Sequence, residues 1–179
     1  MKNIVNVVAG VILCILVFNK IMGIIDAHSG GETSEAYKNF DGMFGLKFGD
    51  LVGNQFKKSG AIEGCDVYEG IPPTPKYAFD RYAVFARPSA RRILTIRAER
   101  DFMSHDALRD AVNALKRTFE KEYRIVARKM NLDDSWAFVF LGPKDGYDKG
   151  ITLVSGYDKV ARRWQLQLNA IDGNWASWR

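Results

Sequence analysis

Arg87, Arg91 and Arg92 crowd around the short connection Pro88-Ser89-Ala90, and Arg162 and Arg163 stand together ahead of the last apolar stretch of the chain. Each guanidinium is a planar fork of donors, so a group of them at a turn suits phosphates, carboxylates or anionic headgroups. Solvated turn residues are the plainer reading of the same pattern. Arg87, Arg91 and Arg92 are the candidate ligand-binding residues.

Catalytic chemistry finds thinner support. His28 and His105 are the two histidines, and His28 lies in the polar stretch after the N-terminal apolar run. A hydrolase built on His105 needs Cys65, a serine, or a carboxylate such as Asp101 or Asp106 within hydrogen-bond reach. Glu63, Asp66 and Glu69 lie close in sequence, but loop spacing fixes no separation between paired acids. Lys57-Lys58-Ser59 lacks the glycines of a phosphate-cradling loop. The few histidines and cysteines give no zinc pattern. Asp145, Asp148 and Asp158 lack the calcium-loop spacing and read as turn residues. No catalytic residue, metal or cofactor is assigned, and the residues favour a non-catalytic domain over an enzyme. A purely structural envelope protein is a further alternative.

The elements that must hold these residues follow from the apolar pattern. Tyr77 to Arg87 and Arg92 to Arg100 are β-prone and closely linked, which predicts a hairpin with the arginines at its tip. Ser104 is a candidate N-cap for an amphipathic helix, with Leu108, Ala111, Val112, Leu115, Phe119 and Tyr123 on one face. Strands are expected at 124–130, 136–141, 151–155 and 160–170, the last with Trp164, Leu166, Leu168 and Ala170 inward and a wet face of Arg163, Gln165, Gln167 and Asn169. A short strand is expected at Phe44 to Phe48. The stretch from Lys57 to Lys76, with Pro72-Pro73-Thr74-Pro75, reads as a long loop. The fold class is α+β: an antiparallel sheet of about five to seven strands with one long amphipathic helix on one face, preceded by an N-terminal apolar helix.

That N-terminal run gives the address. Ile4, Val8, Val11, Leu13, Leu16, Phe18, Ile21 and Ile25 are the candidate membrane-segment residues. As a helix, Ile4 to Ile25 would reach about 33 Å against a hydrocarbon core of about 30 Å. Lys2 followed by apolar residues fits a retained signal anchor and a cleaved signal alike, and the greasy continuation Ile21 to Ile25 favours the anchor. Residues 1–29 are read as anchor or signal, 30–39 as a flexible linker and 40–179 as one globular domain. The domain is expected outside the cytoplasm, membrane-anchored, or secreted or periplasmic if the N-terminus is cleaved.

Composition sets the remaining bounds. The chain of 179 residues carries a formal charge of +5 with both signs interspersed, as solubility requires. Cys14 and Cys65 are its two cysteines, and with Cys14 in the apolar run no disulfide framework is available. Cys65 reads as a small buried apolar residue. Trp175 and Trp178 in the tail are candidate interaction residues, or cover for a core edge. The expected partners are a membrane through the N-terminal segment and an envelope protein or anionic ligand. Nucleic acid is not among them, because no recognised binding motif is present.

Overall fold

The computed structural model describes residues 40–62, 64–130, 136–141 and 149–172. Four strands come first in the main sheet: β3 (Phe56–Ile62), β4 (Cys65–Gly70), β5 (Arg81–Ala86) and β6 (Ile93–Phe102). The helix α1 (His105–Phe119) follows, and then β7 (Arg124–Met130), β8 (Trp136–Leu141), β9 (Lys149–Asp158) and β10 (Arg163–Asp172). The order across this eight-stranded sheet is β3-β4-β5-β6-β10-β9-β8-β7. Two antiparallel meanders therefore meet at the centre, where β10 pairs with β6 from Trp164↔Phe102 to Ile171↔Thr95. A small hairpin of β1 (Gly42–Met43) and β2 (Leu46–Lys47) precedes them.

Side-chain alternation decides the faces. Leu166, Leu168 and Ala170 of β10 share one face with Ile96 and Ala98 of β6, Ile151 and Leu153 of β9, and Phe138 and Phe140 of β8, all buried in one core. Helix α1 covers that face with Leu108, Val112, Leu115 and Phe119. Ser104 caps it in extended geometry, its hydroxyl accepting from the Ala107 N–H at 3.2 Å. Asp106 in the first turn and Lys116 and Arg117 in the last oppose the helix dipole. The β1–β2 hairpin completes the cover, with Phe44 edge-on to Phe79 and Tyr82. Its turn holds Phe44 at φ 58° and Gly45 at φ 79°, and a Cβ on Gly45 would lie 2.4 Å from Thr74 Oγ1.

Several expectations are corrected. The α+β class with five to seven strands and one long helix gives way to a mostly antiparallel-sheet structure of eight strands, a two-stranded hairpin and a single short helix among the described residues. That helix has 15 residues, about 22 Å, because the chain turns at Glu120 and leaves Lys121 and Tyr123 outside it. The loop expected from Lys57 to Lys76 contains β3 and β4. Edge position hides β3, whose Lys57, Lys58 and Ser59 face solvent, and the register slips between Lys58 and Gly60. Buried Asp66, held by Lys58 Nζ at 2.6 Å, breaks the apolar pattern of β4. The strand expected at Phe44 to Phe48 shrinks to β2, since Phe44 and Gly45 form a turn. No described helix is long and apolar enough to cross a membrane. The expected apolar helix at Ile4 to Ile25 and the linker 30–39 lie outside the described residues.

Candidate functional site

The turn between β5 and β6 gathers Arg87, Arg91 and Arg92 at one end of the sheet. The Arg91 N–H donates to the Arg87 carbonyl at 2.8 Å and the Arg87 N–H to the Arg92 carbonyl at 3.2 Å. Closing so tightly puts Arg91 in the left-handed region, at φ 51°. Segment 49–52 runs alongside: Gly49 N–H donates to the Ile93 carbonyl, Val52 N–H to Arg91 and Ile93 N–H to Asp50, each at 2.9 Å. The same segment aims the side chains. Arg92 Nη1 donates to the Gly49 carbonyl at 2.6 Å, and Arg91 Nη2 to the Val52 carbonyl at 3.4 Å with its guanidinium 5.5 Å from the Tyr68 ring centre. Both residues remain exposed. Among the described residues neither has a carboxylate within ion-pair distance. A guanidinium held by a neutral carbonyl keeps its charge and most of its donors for an anion.

Arginines elsewhere are differently placed. Across the face away from α1, Arg81 grips Asp101 through two donors at 2.6 and 3.0 Å, and Arg163 reaches the same carboxylate at 2.9 Å. Gln167 donates to Glu99 at 2.8 Å, Arg97 Nε to Asn169 at 2.8 Å, and Asn169 to Thr152 at 3.3 Å. Register causes this ladder: Asn169 sits opposite Arg97 and Thr152, Gln167 opposite Glu99, and Glu99 opposite Arg81. The expected wet face of β10 is corrected, since Asn169 is 1% exposed and Arg97 3%. Arg162 and Arg163 do not join the β5–β6 turn. They lie beyond the Phe102 end of β6, a ten-residue strand, or about 30 Å away.

Charge pairing makes the ladder sensitive to acid. The Arg81 hydrogen bond holds the Asp101 carboxyl below its ordinary value, burial opposes this, and the charges of Arg81 and Arg163 add to it. A depressed carboxyl contributes stability that is present above the unfolded value near pH ~4 and lost as pH falls through the folded value. Asp101→Asn should therefore melt below the wild type at pH 6, with the gap narrowing as pH falls below the ordinary carboxylate range. No gap between the two proteins at pH 6 would contradict the pairing.

Among the described residues, the ring contacts of His105 are two indoles. Its ring stacks on Trp136 at 5.3 Å and tilts against Trp164 at 4.7 Å, on the α1 side of the sheet. Cys65 packs with Ile62, Val67 and Phe85. Arg97 lies over that Phe85 ring at 4.7 Å, which puts the thiol's cluster on the opposite face. Asp106 pairs with Arg109 at 2.9 Å, and Asp101 with Arg81 and Arg163. The imidazole, the thiol and these acids therefore assemble no relay. Asp158 caps its own turn, accepting from the Val160 and Ala161 N–H groups at 2.9 and 3.0 Å. Asp145, Asp148, Trp175 and Trp178 lie outside the described residues, as do the candidate membrane residues.

An open groove of about 430 Å³ runs between the β1–β2 hairpin, Tyr77 and the end of α1. Aromatic rings line it, and Lys47 and Lys76 are offset by Asp41 and Glu122. Burial and the charge of Glu122 push the Tyr77 hydroxyl up. Opposed charges around an open trough give it no preferred ligand sign.

Sequence reasoning located the arginine turn but missed its support, Gly49 to Val52, and the exposed Leu51 within it. Leu51 bridges Arg92 across 41 positions of sequence, and no local pattern announces such a pairing. Comparison with protein-family models, curated proteins and solved structures finds no match to this chain.

Proposed function

We propose that the chain is a non-catalytic binding domain, membrane-tethered or exported, whose ligand carries clustered negative charge: an acidic protein surface or an anionic envelope component. Arg91 and Arg92, with Arg87 beside them, make the contact. One observation carries this reading: Arg91 and Arg92 are exposed, oriented by main-chain carbonyls and free of carboxylate partners among the described residues. Arg81, Arg97, Arg109 and Arg163, by contrast, each have an acid within ion-pair distance. Orientation before binding reduces the ordering cost of gripping an anion. The apolar N-terminal run supports the location outside the cytoplasm.

Retention on immobilised heparin, a dense polyanion, tests the contact in the full chain held in neutral detergent. Arg91→Ala with Arg92→Ala should elute at markedly lower salt than the wild type. Lys159→Ala with Arg162→Ala removes the same charge from exposed positions in the β9–β10 turn, at the opposite end of the sheet, and should elute nearly as the wild type does. Equal loss of retention in both variants would reduce the effect to net charge and sink the proposal.

A further inference from the structure

We infer that the arginine end of the sheet rests on an anionic bilayer surface, with Arg87, Arg91 and Arg92 at the lipid phosphates and Leu51 inserted between the headgroups. The inference rests on the anion-binding reading and names its ligand. Leu51 is 65% exposed although the backbone on either side of it is fixed by hydrogen bonds to Arg91 and Ile93. It forms an antiparallel bridge with Arg92, and bridged residues carry their side chains on the same side. An aliphatic side chain is thus held beside a guanidinium with no carboxylate partner among the described residues, the pairing of an apolar wedge with a basic contact that peripheral membrane surfaces use.

Chain entry points the same way. The described chain begins at Phe40, whose ring packs on Phe48 at 5.6 Å, and the Asp41 carbonyl accepts from the Phe48 N–H at 3.0 Å. Gly49, the next residue, is bonded to Ile93 at the start of β6. The domain is therefore entered at the arginine end. Fourteen residues, 26–39, separate that point from Ile25, the last residue of the apolar run. Even fully extended they can span at most about 50 Å. A tether that short keeps the arginine end at high local concentration near the bilayer, so individually weak headgroup contacts suffice.

The test uses the full chain in nanodiscs of phosphatidylcholine alone and of phosphatidylcholine mixed with phosphatidylglycerol, read by amide hydrogen exchange. Segments 49–52 and 87–92 should exchange about threefold or more slowly on the anionic discs than on the neutral ones. Leu51→Ser, a change at an exposed position, should remove that protection while leaving heparin retention at the wild-type salt. Equal exchange on both discs, or protection that survives Leu51→Ser, overturns the bilayer contact. If heparin retention is intact in that case, anion binding stands without it. If wild-type retention also fails, the reading beneath it falls too.

Discussion

Phe119→Ala should destabilise the domain by about 4 kcal/mol and lower its melting temperature by about 15 °C, as thermal and denaturant unfolding would report. Phe119 is 2% exposed and ties three parts of the chain together: Tyr77 from the loop after β4, Tyr123 beyond the helix, and Phe140 of β8, at ring distances of 5.6, 6.5 and 5.5 Å. Truncation removes the transfer energy of the ring and opens a cavity lined by side chains anchored on separate elements, which limits collapse. Phe119→Leu retains most of the volume and should cost about 1 kcal/mol. A loss below about 1 kcal/mol for the alanine variant would mean that the helix end is not fastened to the sheet as described.

Asn169→Ala should cost about 3 kcal/mol although it removes only a small polar group. Asn169 accepts from Arg97 Nε at 2.8 Å while donating to Thr152 and to Gln167 at 3.3 Å. Alanine leaves the Arg97 Nε donor without that acceptor at a site where the arginine is 3% exposed. Replacing both partners by apolar residues, Asn169→Leu with Arg97→Met, removes the charge as well and should recover about half of the loss or more. Strict additivity of the single changes would deny the coupling that the register between β6 and β10 imposes.

These two positions mark the limits of reading the sequence. The apolar spacing from Leu108 to Phe119 reveals a helix that buries one side, because four inward residues recur on a helical period. Its end is not legible there: Tyr123 continues the period, but its N–H bonds back to the Phe119 carbonyl in a turn rather than in the helix. The alternation of Gln165, Gln167 and Asn169 marks one face of β10 as polar. It cannot reveal that Arg97, 72 positions away, buries itself against Asn169. Edge strand β3 escapes notice for a related reason, since lysines facing solvent carry no inward period to detect. Local patterns report which side of an element is buried; pairing between distant strands decides what it is buried against.

The candidate site divides along the same line. A turn rich in arginine is visible as Arg87, Arg91 and Arg92, and chain geometry brings those three together. Their orientation is not visible, because the carbonyls that aim Arg91 and Arg92 belong to Val52 and Gly49. Arg162 and Arg163 look equivalent in sequence, yet Arg163 is tied to Asp101 at the other end of the sheet. The distinction between a neutralised arginine and an available one is a property of the fold.

Side-chain nitrogen resonances of the arginines, followed by NMR while inorganic pyrophosphate is added to the full chain in neutral detergent, test the anion-binding claim most directly. The Nε–H signals of Arg91 and Arg92 should shift and saturate together, while those of Arg81, Arg97 and Arg163 stay in place. Unmoved signals at Arg91 and Arg92, or equal shifts at all five arginines, would contradict the account.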